Sequence, residues 1–182
     1  MARTFCVLTA IGADRVGIVD DLSGAIFGAG CNIEESKMAV LGGEFAVIML
    51  VSGQAGSVNT LADALPGLGE KLGLRIESRP TREPRDGESG RPYLLEAVSL
   101  DTPGIVHAVT AILRSHGINI EDMETDTAAA PWTGAPMFRL KAHLVIGPSV
   151  SVAGLKEELS HLQEKHDLDI ALKPVFAAGG SA

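Results

Sequence analysis

The sequence predicts an α+β fold made of two βαββαβ units in tandem, and three observations carry that prediction. A motif of the form Asp-x-x-Gly-Ile-Val occurs twice, as "DRVGIV" from Asp14 to Val19 and as "DTPGIV" from Asp101 to Val106. Each occurrence follows an apolar, β-rich run and opens a helical pattern. The surrounding sequence repeats as well: sliding the chain by 87 residues aligns Gly17 with Gly104, Gly30 with Gly117, Asn32 with Asn119 and Glu34 with Glu121 without a gap. At an offset of 94, a second block aligns Val58 with Val152, Leu61 with Leu155, Leu65 with Leu159 and Leu74 with Leu168. The difference of seven places an insertion between the blocks, in "TDTAAAPWTGAPM" of the second copy, where Pro, Gly and Ala replace the tight "LGGEF" of the first.

In the first copy, "TFCVLTAIG" reads as a strand, and Val19, Leu22, Ala25, Ile26 and Ala29 form one helical stripe that Gly30 stops. "CNIEESKMAVL" and "EFAVIMLVSG" follow as strands joined by Gly42-Gly43, a two-residue hairpin signal. Val58, Leu61, Leu65, Leu68 and Leu72 make a second stripe, and "LRIESRP" closes the copy as a strand. Pro66 lies within that second stripe, so the helix is expected to kink or restart there. Two one-sided helices in a βαββαβ order are best buried on one face of a four-stranded, antiparallel-rich sheet, the ferredoxin-like arrangement. The expected domains are 1–80 and 91–176, with an 81–90 linker rich in Arg, Pro and Gly and a C-terminal tail at 177–182.

Composition narrows the function. A hydrophobic fraction of 46% supports buried cores, and 4% aromatics means those cores are aliphatic. The charge of −8 divides evenly, −4 in residues 1–90 and −4 in 91–182, so neither half is a basic arm for phosphates and direct nucleic-acid contact is not expected. The amino-terminal apolar run reaches Asp14 too soon for a signal peptide or membrane span, which predicts a cytoplasmic protein with no membrane contact. Cys6 and Cys31 lack metal or redox spacing and read as small buried hydrophobes. No HExxH, GxSxG or phosphate-loop motif is present, and His107, His116, His143, His161 and His166 are scattered, so no catalytic residue, metal or cofactor is assigned. Glu34, Glu35, Glu121, Asp122, Glu124 and Asp126 read as the solvent face of a strand.

The repeated turn is the functional candidate. It ends at a helix N-terminus, where up to four backbone N–H groups lack an intrahelical partner and an anion or small-molecule carboxylate is favoured. Gly17 and Gly104 allow close approach, Pro103 suits a first helical turn, and Asp14 and Asp101 are placed to cap their helices. Asn32 and Asn119, just past the helix-ending glycines, either tolerate a turn conformation or offer an amide to a ligand.

The doubled "DRVGIV" and "DTPGIV", each followed by "GCNIE" or "GINIE", resemble a pair of ACT domains, the small amino-acid-sensing modules of metabolic regulation. A tandem of this length is most similar to the glycine cleavage system transcriptional repressor family. The resemblance implies a ligand at an interface between modules, against Asp14, Arg15, Val16, Gly17, Ile18, Asn32 and Ile33, and against Asp101, Thr102, Pro103, Gly104, Ile105, Asn119 and Ile120. Val16 departs from the Pro commonest in the family, which makes the first site looser or only structural. The resemblance further implies a non-enzymatic regulator that senses glycine or another small amino acid and acts on a protein partner such as a transcription factor. The alternative it leaves is a detached regulatory subunit of an amino-acid metabolic enzyme. Exposed sheet edges predict edge-to-edge or helix-to-helix pairing and a homodimer, with Trp132 either packed in or offered to a partner.

Overall fold

The structure, a computed structural model, describes residues 3–83, 90–100, 102–130 and 133–175. The chain divides into two compact units, 1–85 and 86–182. The first contains β1 (Thr4–Ala13), α1 (Ile18–Gly28), β2 (Asn32–Leu41), β3 (Glu44–Gly53), α2 (Ala55–Leu72) and β4 (Arg75–Thr81). The second contains β5 (Arg91–Leu100), α3 (Ile105–Ser115), β6 (Asn119–Ala129), β7 (Pro136–Ile146), α4 (Val152–His166) and β8 (Asp169–Pro174). Each is the expected βαββαβ unit, with antiparallel sheets ordered β2-β3-β1-β4 and β6-β7-β5-β8.

Each copy has its own core, built where the alternating strand positions meet the helix stripes. Leu8, Phe45 and Val51 pack with Ile18, Leu22 and Ile26 in the first; Leu95, Leu140 and Leu144 pack with Ile105, Val109 and Leu113 in the second. The stripe of α1 is rotated from the sequence expectation: Ile18 is buried and Val19 is 42% exposed. Helix α2 runs unbroken through Pro66, because only one backbone donor is lost while Val58, Leu61 and Leu65 anchor its preceding turns. Gly42 and Gly43 both have positive φ, the type I′ geometry of a tight hairpin.

Register locates the insertion in two places. Leu41 pairs with Glu44, whereas its counterpart Ala128 pairs with Met137, so the β6–β7 hairpin absorbs six of the seven extra residues. The seventh lies in the connection from β7 to α4, a place the repeat offsets do not single out. Trp132 lies outside the described residues.

Candidate functional site

The turn that leads from the first strand into the first helix is built alike in both copies. Gly17 (φ 91°) and Gly104 (φ 99°) precede α1 and α3 in the left-handed region, which a residue with a Cβ rarely adopts. Their carbonyls accept the first helical hydrogen bonds, from the Asp21 N–H at 2.9 Å and from the Ala108 N–H at 2.9 Å. No side chain caps either helix, so the first-turn N–H groups face the loop. The expected Asp14 cap does not form, since the backbone at Gly17 takes the cap position and the Asp14 N–H is tied to the Gly43 carbonyl at 2.9 Å. Asp101 lies outside the described residues. Pro103 precedes the cap and is therefore outside the first turn of α3.

The other candidates divide by copy and by burial. Ile18 and Ile105 are core residues, 2% and 4% exposed, so only their backbones face the turns. Val16 is 99% exposed. Arg15 folds over the first turn, donating to Asp21 Oδ2 at 2.7 Å and to the Val16 carbonyl at 3.1 Å; Thr102 takes its place in the second copy. Asn32 and Asn119 begin β2 and β6 in extended backbone, and the adjacent turns are made by Gly30 (φ 74°) and Gly117 (φ 67°). The asparagines are therefore not turn formers.

In the second copy, Thr102, Gly104 and Ile105 line an open depression of about 560 Å³ with Val106, His107, Thr110 and Phe138. A neighbouring depression of about 720 Å³ holds Asn119 and Ile120 and shares His107 and Thr110 with the first. The structure thus brings Thr102, Gly104, Ile105, Asn119 and Ile120 to one side of α3. His107, Thr110 and Arg114 fall outside the repeated motif, although their three- and four-residue spacing beside the buried Ile105, Val109 and Leu113 is a helical signal.

In the first copy, the Asn32 amide is already engaged, donating to Glu34 Oε1 at 3.0 Å. That oxygen also accepts from the hydroxyl of Ser52, which is fully buried, and from the Arg3 guanidinium, which stacks over the Phe5 ring at 5.9 Å. The Ser52 hydroxyl and then the Asn32 amide hold the Glu34 carboxyl below the usual carboxylate range. Glu34 occupies a β-bulge, as does Glu121 in the second copy. Members of this cluster are 31 and 18 positions from Glu34, so no local pattern could reveal it. Cys6 and Cys31 are free and buried, and burial pushes both thiols up. Among the described residues no helix is long and apolar enough to cross a membrane.

Comparison with known proteins supplies the family. The ACT domain model matches residues 4–79. The glycine cleavage system transcriptional repressor of Escherichia coli is 36% identical over 162 residues, covering 88% of this chain and 85% of that protein. The UPF0237 protein of Methanopyrus kandleri is 41% identical over 75 residues, covering 40% of this chain and 83% of its own length. The crystal structure of an unknown protein from Galdieria sulphuraria superposes with a TM-score of 0.80 at 35% identity, over 96% of this chain and 100% of the other. With two ACT-type copies in tandem and a match along most of both chains, this chain belongs to the glycine cleavage system transcriptional repressor family.

Proposed function

We propose that this chain is a non-enzymatic cytoplasmic regulator that binds a small amino acid, glycine or one near it in size, and transmits that binding to a protein partner such as a transcription factor. One observation carries the reading: the uncapped start of α3 at Gly104 opens onto the depression formed with Thr102, Ile105, His107 and Thr110. A ligand carboxylate fits the first-turn N–H groups, where the helix dipole favours negative charge. Val106 and Phe138 make the neighbouring wall apolar and suit a short side chain. The second copy is the better receptor, since the first turn of α3 carries no acidic residue. By contrast, α1 begins with Asp20 and Asp21, which already compensate its dipole, and Arg15 is folded over that turn onto Asp21.

Calorimetry with glycine, alanine, serine and the branched amino acids tests this. Heat with the small ligands and little with the branched ones is expected. No heat and no melting shift with any of them, on folded protein, would leave a ligand-free adaptor. Co-purification with a catalytic chain would instead favour a detached enzyme subunit.

A further inference from the structure

The two sheets present opposite chemistry on the faces turned away from their helices. Residues directly paired across antiparallel strands share a face. In the first sheet, one such row reads Lys37–Ile48–Thr9–Glu77 and the next Glu35–Leu50–Val7–Arg79, both opposite the buried Phe45, Val47 and Met49. The middle of this face is apolar, and Ile11 and Ile48 stand 51% and 49% exposed. In the second sheet the counterparts of Ile48, Thr9 and Ala46 are Lys141, Glu96 and Arg139. Glu96 and Arg139 are answered within their own sheet, with Lys173 donating to Glu96 at 2.8 Å and Arg139 held to Asp126, and in the first sheet Arg75 likewise donates to Glu77 at 2.7 Å.

We propose that the outer face of the first sheet is a homodimer interface, and that its occupant is the same face of a second copy of this chain. Charge complementarity supports that choice. In these two rows the edge strands carry opposite signs: Lys37 on β2 with Glu77 on β4, and Glu35 with Arg79; the row through Ile11 has Ala39 and Arg75 at its edges. A two-fold axis along the strands keeps each row level and lays β2 of one copy over β4 of the other. Lys37 then meets Glu77 of the partner subunit, Glu35 meets Arg79 of the partner subunit, and the aliphatic centres close on one another. Aligned sheets cross at about 30°, which displaces the edges by roughly 4 Å, within reach of Lys and Arg side chains. Three ten-residue strands and one of seven present about 600 Å² of face, so two copies bury about 1,200 Å², at the lower end of stable interfaces.

Sedimentation equilibrium of the full chain tests this. The wild type should dimerise at tens of micromolar, and Ile48→Lys and Ile11→Lys should each weaken the dimer at least tenfold with unchanged circular dichroism and melting. Glu77→Lys should also weaken it, and combination with Lys37→Glu should restore affinity to within about threefold of wild type. Lys141→Glu, on the second sheet, should change nothing. The proposal is overturned by a monomeric wild type at 100 μM, which would leave the face to a different protein, by a dimer indifferent to both isoleucine variants, by dissociation on Lys141→Glu, or by failure of the charge exchange to rescue.

Discussion

The two copies agree at several positions that fill the core or set the turn before the first helix, and they part at several that point to solvent. Ile18 and Ile105 fill the same core position, Gly17 and Gly104 hold the same left-handed turn, and Glu34 and Glu121 sit in the same bulge. Outside, α1 opens with Asp20 and Asp21 where α3 has His107 and Ala108. Exposed Phe27 stands where the second copy has Arg114. The shared rows therefore specify the fold, and the outward rows leave each copy free to differ: the first in the self-pairing proposed for its sheet, the second in the ligand recognition proposed beside α3.

The largest expected break of this comparison lies in the cores. Leu8 and Leu95 are equivalent and fully buried in separate clusters. Truncating either to Ala should cost about 3–5 kcal/mol, from lost burial and the cavity left behind. Hydrogen exchange should show protection falling in β1–β4 for Leu8→Ala and in β5–β8 for Leu95→Ala. Loss spread equally over both sheets would mean that the cores are not separate.

Next in size is the turn. Because φ is 91° at Gly17 and 99° at Gly104, Val at either position forces a β-branched residue into the left-handed region, at about 1–3 kcal/mol. Urea titration should give similar losses for both variants, since the conformation is shared. Gly104→Val is thus a probe of stability more than of binding, and the ligand test is better made elsewhere.

Much of this architecture is legible in the sequence because core and turn positions recur at fixed offsets. Leu22, Ile26, Val109 and Leu113 announce their helices by spacing, and Gly42-Gly43 announces its hairpin. The strip of His107, Thr110 and Arg114 is legible in principle by the same spacing, but the more conspicuous motif beside it overshadows it. The bond from Ser52 to Glu34 is not legible, because it joins β3 to a bulge whose register only the folded sheet defines. The outer-face rows are hidden for the same reason: pairing across strands, and not order along them, brings Lys37 level with Glu77.

A smaller effect separates the copies as receptors. If ligand binds beside α3, Asn119→Ala should weaken it about tenfold, the change expected from losing one hydrogen bond of roughly 1.4 kcal/mol. Asn32→Ala should leave affinity within twofold, because that amide is committed to Glu34. Calorimetry on the two variants decides; equal losses would make the sites equivalent.

The smallest effect concerns two carboxylates, one per copy, both held below the ordinary range for different reasons. Glu34 is lowered first by the Ser52 hydroxyl and then by the Asn32 amide, neutral donors, with Arg3 contributing less. Glu96 is lowered by the Lys173 ammonium, through its hydrogen bond and then its charge. A carboxyl whose pKa is depressed in the folded state contributes stability that is present above its unfolded pKa of about 4.3 and is lost as pH falls through the folded value. Both copies should therefore lose this contribution on acidification below about pH 4. Salt distinguishes them: the Debye length shrinks from about 10 Å at 0.1 M to about 3 Å at 1 M, which screens the exposed Glu96–Lys173 pair more than hydrogen bonds from neutral groups. Carboxyl titration by NMR should show Glu96 rising toward its ordinary pKa in 1 M salt while Glu34 moves less. A larger salt shift at Glu34 would mean that Arg3, and not Ser52, controls it.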